Sequence, residues 1–191
     1  MHPEKDTAEA FLLRRAAKTG VPITGSFELT PLCNLNCKMC YVRVNRTEQE
    51  KISRLQTAEK WTALAEKLRD AGTLFLLLTG GEPLLYPAFR AVYLAVRKLG
   101  MIVTVNTNGT LLNEDWAAFF AKNPPRRVNV TLYGASGETY KSLCGDETGY
   151  AKAMRGIRLL QAHGVPVKVG VSVVRQNRHD LETVSYTHLT L

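Results

Sequence analysis

The clearest chemical signal in the sequence is a group of three cysteines in one short segment. Cys33, Cys37 and Cys40 lie in one loop-like stretch, separated by three and then by two residues. Thiolates are soft ligands, and four of them complete a tetrahedral zinc site or hold a four-iron cluster. Because this segment supplies only three, one position on a bound metal or cluster would stay open, which is typical of a reactive rather than a structural site.

The cysteine spacing leaves two other interpretations open. A histidine elsewhere in the chain could complete a zinc site, or Cys37 and Cys40 could form a redox-active Cys-x-x-Cys pair. The fourth cysteine, Cys144, stands apart from this segment in the sequence. We expect Cys144 to be a small buried apolar residue, as most isolated cysteines are.

Apolar strand-like runs alternate with amphipathic helical patterns along the chain, and one strand with its helix takes about 30 residues. These elements could position the cysteines. This alternation predicts parallel strands joined by right-handed crossovers. A partial barrel and an open doubly wound sheet both satisfy the pattern. The predicted strands cover residues 23–30, 74–78, 101–105, 127–132 and 165–174, and the predicted helices lie at 7–18, 57–71, 89–99, 113–123 and 149–163.

Polar loops follow the second and third predicted strands. Residues 80–83 read Gly-Gly-Glu-Pro, and residues 106–109 read Asn-Thr-Asn-Gly. Glycine lets the backbone approach a ligand closely, and the Glu82 carboxylate suits an ammonium group. A tight turn with a solvated glutamate explains the first loop as well, and an asparagine–glycine turn explains the second.

Together, the C-x3-C-x2-C segment at 33–40 and the Gly-Gly-Glu-Pro loop at 80–83 resemble the motifs of the radical S-adenosylmethionine (radical SAM) superfamily. The resemblance implies an α/β fold, a partial (β/α)6 TIM-like barrel of parallel strands whose sixth unit is missing here. It also implies a [4Fe-4S] cluster held by Cys33, Cys37 and Cys40. S-adenosyl-L-methionine would bind the iron that the protein leaves open.

The same resemblance implies cofactor contacts from several loops. Met39 stands where the family usually has an aromatic residue near the adenine, and Thr131 stands where it usually has a serine near the ribose. A thioether can pack on an aromatic ring, and a threonine hydroxyl can make the serine's hydrogen bond. The implied cofactor-binding residues are Met39, Gly80, Gly81, Glu82, Pro83, Asn106, Thr131 and Ser172.

The implied activity is reductive cleavage of S-adenosyl-L-methionine to a 5′-deoxyadenosyl radical, which abstracts hydrogen from a substrate. Residues 128–136, followed by Glu138, Thr139 and Tyr140, resemble members that carry a SPASM domain and modify peptides or proteins. We therefore expect an enzyme whose substrate is a peptide or protein. The alternatives are a zinc- or cluster-bearing RNA-binding module and a cluster-binding fragment without turnover.

The composition is that of an ordinary globular protein, with 45% hydrophobic and 22% charged residues in 191. No apolar run approaches the roughly 18 residues of a membrane span, and acidic residues near the N-terminus argue against a secretory signal. We therefore expect a cytoplasmic protein without a membrane partner. The net charge of +8 would suit an acidic electron donor such as a flavodoxin or ferredoxin. Nucleic acid is an unfavoured partner, because no RNA-binding motif is present.

We expect three divisions of the chain. Residues 1–22 form a lead-in helix, residues 23–183 an incomplete core barrel with a mobile connection at 43–54, and residues 184–191 a non-native tail. The tail resembles the translation of an adapter used in DNA library preparation. A genuine frayed C-terminus is the alternative.

Overall fold

The computed structural model describes residues 7–42, 44, 47, 48, 51 and 55–190. Residues 187–190 are described by their backbone alone. Within these ranges, five parallel strands form one sheet in the order β1-β2-β3-β4-β5. An open doubly wound sheet reverses its strand order partway, whereas sequential order is that of a barrel wall. The predicted partial barrel is therefore confirmed. The strands are β1 (Thr24–Glu28), β2 (Phe75–Thr79), β3 (Ile102–Thr107), β4 (Arg127–Leu132) and β5 (Val167–Val171).

Helices alternate with the strands. Several of them begin at a side chain that accepts a hydrogen bond from a backbone N–H of the first turn: Thr57 accepts from Lys60 and Asn113 accepts from Trp116. The helices are α1 (Ala8–Thr19), α2 (Ala58–Asp70), α3 (Phe89–Lys98), α4 (Glu114–Lys122), α5 (Gly137–Cys144), α6 (Gly149–Ala162) and α7 (Leu181–Thr190), with short 3-10 turns at Pro83–Leu85 and Arg178–Asp180.

One helix, α5, was not among the predicted elements. Its N-cap is Ser136, whose hydroxyl accepts from the N–H of Thr139. Gly145 ends it in the left-handed conformation, at φ +77°, and its N–H bonds to the carbonyl of Lys141. This helix places its carboxyl end beside the cysteine loop.

The two faces of the sheet differ in composition because successive strand residues point to opposite sides. One face packs against the helices and forms the core, where Leu78, Val105 and Val128 are fully buried. The opposite, concave face carries mainly polar residues. Residues of neighbouring strands form rows across this face. In one such row, Asn106 lies opposite Asn129 and Asn129 lies opposite Lys168.

Strand β5 is shorter than the predicted run 165–174. The side-chain amide of Asn177 accounts for its end: it donates to the carbonyls of Ser172 and Tyr133, and its oxygen accepts from the N–H of Val174. These bonds hold the backbone after Val171 in a loop, although the residues themselves favour a strand.

Helices near both ends of the described chain contact the rest of the barrel. The lead-in helix α1 carries Glu9, which pairs with Arg126 at the residue before β4. The predicted tail at 184–191 falls mostly in α7, where Val184 packs into the core. Its non-native origin stays a prediction. Most of the predicted mobile connection at 43–54 lies outside the described residues. Over the described ranges, no helix is long and apolar enough to cross a membrane.

Candidate active site

The cysteine loop follows β1 and is held on one side by the loop that follows β2. The N–H of Gly81 donates to the carbonyl of Thr30, and the N–H of Glu82 donates to the carbonyl of Leu32, both at 2.7 Å. A Cβ atom at Gly81 would overlap the Leu32 carbonyl and lie 2.6 Å from the Pro31 oxygen. Glycine is therefore needed at residue 81 for the approach of one backbone to another.

The carboxyl end of α5 holds the other side of the cysteine loop. The N–H groups of Asn36 and Lys38 donate to the last carbonyls of that helix, Cys144 at 2.8 Å and Leu143 at 2.9 Å. Cys144 is buried as expected, but it packs against Cys37 and so does not stand apart from the loop. Its hydrogen bond to Cys37, followed by burial, raises the pKa of the Cys144 thiol.

A cavity of about 260 Å³ brings together most of the residues that the sequence predicts for the site. All three cysteines of the loop line it, and Thr107, Asn108 and Tyr133 contribute to its wall. A larger cavity of about 540 Å³ touches the same cysteines and is bordered by Pro31 and Asn34. The predicted cofactor residues that line the smaller cavity are Met39, Gly80, Gly81, Asn106, Thr131 and Ser172.

Glu82 and Pro83 lie outside the lining of both cavities. The Glu82 side chain is fully buried and accepts hydrogen bonds from the hydroxyl of Thr107 (2.8 Å) and from the N–H groups of Asn108 (2.8 Å) and Leu84 (3.1 Å). Burial raises the pKa of Glu82 to about 7, although these hydrogen bonds oppose the shift. The carboxylate thus joins the loops after β2 and β3, and its direct contact with a cofactor stays a prediction.

A polar network that sequence reasoning missed surrounds Cys33. The amide nitrogen of Asn108 donates to the Asn34 oxygen at 3.0 Å and contacts the Cys33 sulfur at 3.7 Å, and Asn34 donates to Thr110 at 2.8 Å. Asn108 belongs to the quoted loop 106–109, so its position after a strand was an available signal. Asn34 lies inside the cysteine segment, which was also an available signal, whereas for Thr110 the sequence offers none.

Two effects compete at the Cys33 sulfur. Burial is the larger and raises the pKa of the thiol, whereas hydrogen bonds from the Leu35 N–H and the Asn108 amide lower it. A cysteine binds a metal as the thiolate and not as the thiol. Cluster binding at Cys33 would therefore release a proton that burial holds in place.

Tyr133 is a second wall residue that the sequence did not single out, although it lies in the quoted segment 128–136. Burial is the main cause that raises the pKa of its hydroxyl, and its ring packs edge-on against Tyr140 with the centroids 5.9 Å apart. The Asn177 amide fixes its carbonyl. A rigid phenol ring therefore forms part of the cavity wall beside the cysteines.

The donor set fits a multi-iron cluster. In the described part of the chain, no three His, Cys, Asp or Glu side chains converge on one metal position. A single zinc ion needs all its thiolates within about 2.3 Å, whereas a four-iron cluster spreads its thiolates over separate iron atoms. All three cysteines line one cavity, and cysteine thiolates are the ligands that hold iron–sulfur clusters.

The model of the radical SAM superfamily matches residues 27–186, which is most of the chain. The chain belongs to this superfamily. The family match confirms the resemblance that the cysteine segment predicts, and it favours an enzyme over an RNA-binding module.

Several curated relatives are similar to this radical SAM chain. They include AlbA, the antilisterial bacteriocin subtilosin biosynthesis protein of Bacillus subtilis (29% identity), and SkfB, the sporulation killing factor maturation protein of the same organism (26%). The AdoMet-dependent heme synthase of Methanosarcina barkeri is 28% identical. Each match covers 86% of this chain but only 36%, 39% and 46% of the respective relative. The chain thus spans less than half the length of these relatives.

Solved structures share the fold. The Streptococcus suis protein SuiB bound to precursor peptide SuiA aligns over 93% of this chain and 39% of its own, with a TM-score of 0.75 and 17% identity. The anSMEcpe structure with bound AdoMet aligns over 87% of this chain and 48% of its own, with a TM-score of 0.68 and 20% identity. At this identity, the likeness confirms the barrel architecture alone.

Proposed function

We propose that this chain is the core of an enzyme that uses a [4Fe-4S] cluster and S-adenosyl-L-methionine. Cys33, Cys37 and Cys40 would hold the cluster by three irons, leaving the fourth iron to the cofactor. When bound, this pair supplies one-electron reductive cleavage of the sulfonium, and the resulting 5′-deoxyadenosyl radical abstracts hydrogen from a substrate. The observation that carries the proposal is the single cavity lined by all three cysteines and by six predicted cofactor residues.

The chain's own residues would bind and orient the cofactor. Gly80 and Gly81 line the cavity, and their lack of a Cβ lets this loop pack directly against the backbone of the cysteine loop. The methionine end of the cofactor would bind along this backbone, beside the cysteines. Thr131 and Ser172 offer hydroxyl groups for the ribose or other polar groups. The Met39 thioether would pack against the adenine ring.

The substrate we propose is a peptide or protein. Two of the similar proteins support this class: AlbA carries bacteriocin biosynthesis in its name, and SuiB was solved with a precursor peptide. We further propose a cytoplasmic location. We also propose an acidic electron donor such as a flavodoxin or ferredoxin, and the net charge of +8 supports this choice of partner.

The test is anaerobic reconstitution with iron and sulfide, followed by addition of dithionite and S-adenosyl-L-methionine. We expect 5′-deoxyadenosine to accumulate, and we expect a Cys40→Ala variant to lose both product and cluster iron. Lys60→Ala is the matched control, because Lys60 is exposed on α2 and lines neither of the two cavities. A protein that holds cluster iron but forms no 5′-deoxyadenosine above the level of Cys40→Ala would contradict the proposed activity.

A further inference from the structure

A third cavity, on the concave face of the sheet, adjoins the proposed cofactor cavity. Its volume is about 220 Å³, and Asn106 and Thr131 line both cavities. A group bound in the third cavity would therefore lie next to the cofactor. The residues that line it are Asn106, Asn129, Val130, Thr131, Lys168 and Gly170.

A chain of hydrogen bonds along this face has only one possible direction. Arg127 Nε lies 3.0 Å from Asn129 Oδ1, and Asn129 Nδ2 lies 2.7 Å from Asn106 Oδ1. Arginine has donors and no acceptor, so the Asn129 oxygen must face it and the Asn129 nitrogen must donate onward. Asn106 therefore accepts with its oxygen, and its NH₂ group ends the chain with no acceptor among the residues that the structure describes.

Lys168 lies in the same row of the sheet, opposite Asn129. Its side chain is exposed, and it forms no ion pair with any residue in the described ranges. The amide oxygens of Asn106 and Asn129 are already used as acceptors. The row thus presents an ammonium group and an amide NH₂, and no carboxylate of a described residue lines the cavity.

We propose that Lys168 and Asn106 form a binding site for the carboxylate of an acidic side chain of the substrate. An ammonium and an amide NH₂ match the two oxygens of one carboxylate, and hydrogen bonds to ionised groups are the stronger ones. Since Asn106 also borders the cofactor cavity, the bound carboxylate would hold the neighbouring C–H bonds of the substrate toward the cofactor. This inference rests on the proposed function, because it names the substrate class of the same site.

The test measures binding without turnover. Two probe peptides, acetyl-Gly-Glu-Gly-amide and acetyl-Gly-Gln-Gly-amide, differ only in the side-chain carboxylate and are titrated calorimetrically into the reconstituted full chain without reductant. We expect the glutamate peptide to bind at least tenfold more tightly. Lys168→Gln should reduce the difference to less than twofold, Lys168→Glu should reverse it, and Lys60→Ala should preserve it.

Three outcomes would overturn the inference. They are equal or absent binding of both peptides, an unchanged preference in Lys168→Gln, and a tenfold loss of S-adenosyl-L-methionine affinity in that variant. The last would assign Lys168 to the carboxylate of the cofactor itself. Failure of the proposed function would be seen separately, as absence of 5′-deoxyadenosine with peptide binding intact. Thermal unfolding of each variant checks that it is folded, which we expect because Lys168 is exposed.

Discussion

The two faces of the sheet use the same strands for different purposes. On the helix-facing side, Leu78, Val105 and Val128 are sealed from solvent and packed in one apolar cluster. On the concave side, Asn106, Asn129 and Lys168 form one polar row that is only partly buried. The alternation along each strand separates residues that stabilise the fold from residues that can contact a ligand.

The contrast between the faces predicts whether a substitution changes stability or ligand binding. Burial of apolar area is the main favourable term in folding, so changes on the helix-facing side should alter stability. Changes on the concave side should leave stability near its original value and alter binding. Glu82 is the informative exception, because it is a fully buried carboxyl group at the edge where the two loops meet.

The largest expected effect comes from Leu78→Ala, which leaves a cavity on the helix-facing side. We expect the free energy of unfolding to fall by about 2–5 kcal/mol, the range for truncating a buried leucine. Thr104→Ala, on the concave face of neighbouring strand β3, should change it by less than about 0.5 kcal/mol. Urea denaturation measures both, and equal losses in the two variants would contradict the division between faces.

Glu82 should make stability fall as the pH rises. Its pKa is raised from 4.5 to about 7 in the folded protein, so the folded state keeps a proton that the unfolded state has lost. The stabilising contribution is therefore complete below about pH 4.5 and is lost as the pH rises toward 7. The free energy of unfolding falls by up to about 3 kcal/mol over this range, because each pKa unit between the folded and unfolded states corresponds to about 1.36 kcal/mol.

Glu82→Gln should flatten this pH dependence whatever its effect on stability at a single pH, because glutamine does not titrate. Chemical denaturation of both proteins between pH 4.5 and 8 gives the difference curve. If the free energy of unfolding of the substituted protein depends on pH in the same way as that of the original protein, the pKa of Glu82 is not raised.

Gly81→Ala tests the close contact between the two loops and should cost about 1–3 kcal/mol, a range typical of overpacking. The added methyl group would meet the carbonyl oxygens of Pro31 and Leu32, so the cysteine loop would have to move. We expect cluster iron after reconstitution to fall along with stability. Gly170→Ala is the matched control on the concave face, where a Cβ would have nothing within 4 Å; similar losses in both variants would refute the explanation by close approach.

Much of the fold could be predicted because apolar periodicity and caps are local signals. Strand β4 coincides with its predicted range, and Thr57 and Asn113, the first residues of two predicted helices, are the N-caps of those helices. Helix α5 was missed because its eight residues begin within a segment that resembles a family motif. The Ser136 cap and Gly145 were signals that could have revealed it.

The sequence could indicate residues that line one cavity where a motif lies in a single loop, and it could not indicate contacts between residues distant in sequence. The three cysteines and Asn106 were selected by type and position and line the same cavity, whereas Cys144 adjoins Cys37 only because α5 folds back onto the cysteine loop. The partners of Glu82 lie 25 and 26 residues away on another loop. The direction of the hydrogen-bond chain from Arg127 to Asn106 likewise depends on the register of two strands.

Mössbauer spectroscopy of the chain reconstituted with ⁵⁷Fe under exclusion of oxygen can show whether one iron of the cluster is left open for the cofactor. We predict a cubane in which one of the four irons, and only one, changes its parameters when S-adenosyl-L-methionine is added. Four irons that all remain unchanged, with the fourth held by a protein side chain, would contradict a cluster that three cysteines hold open for the cofactor.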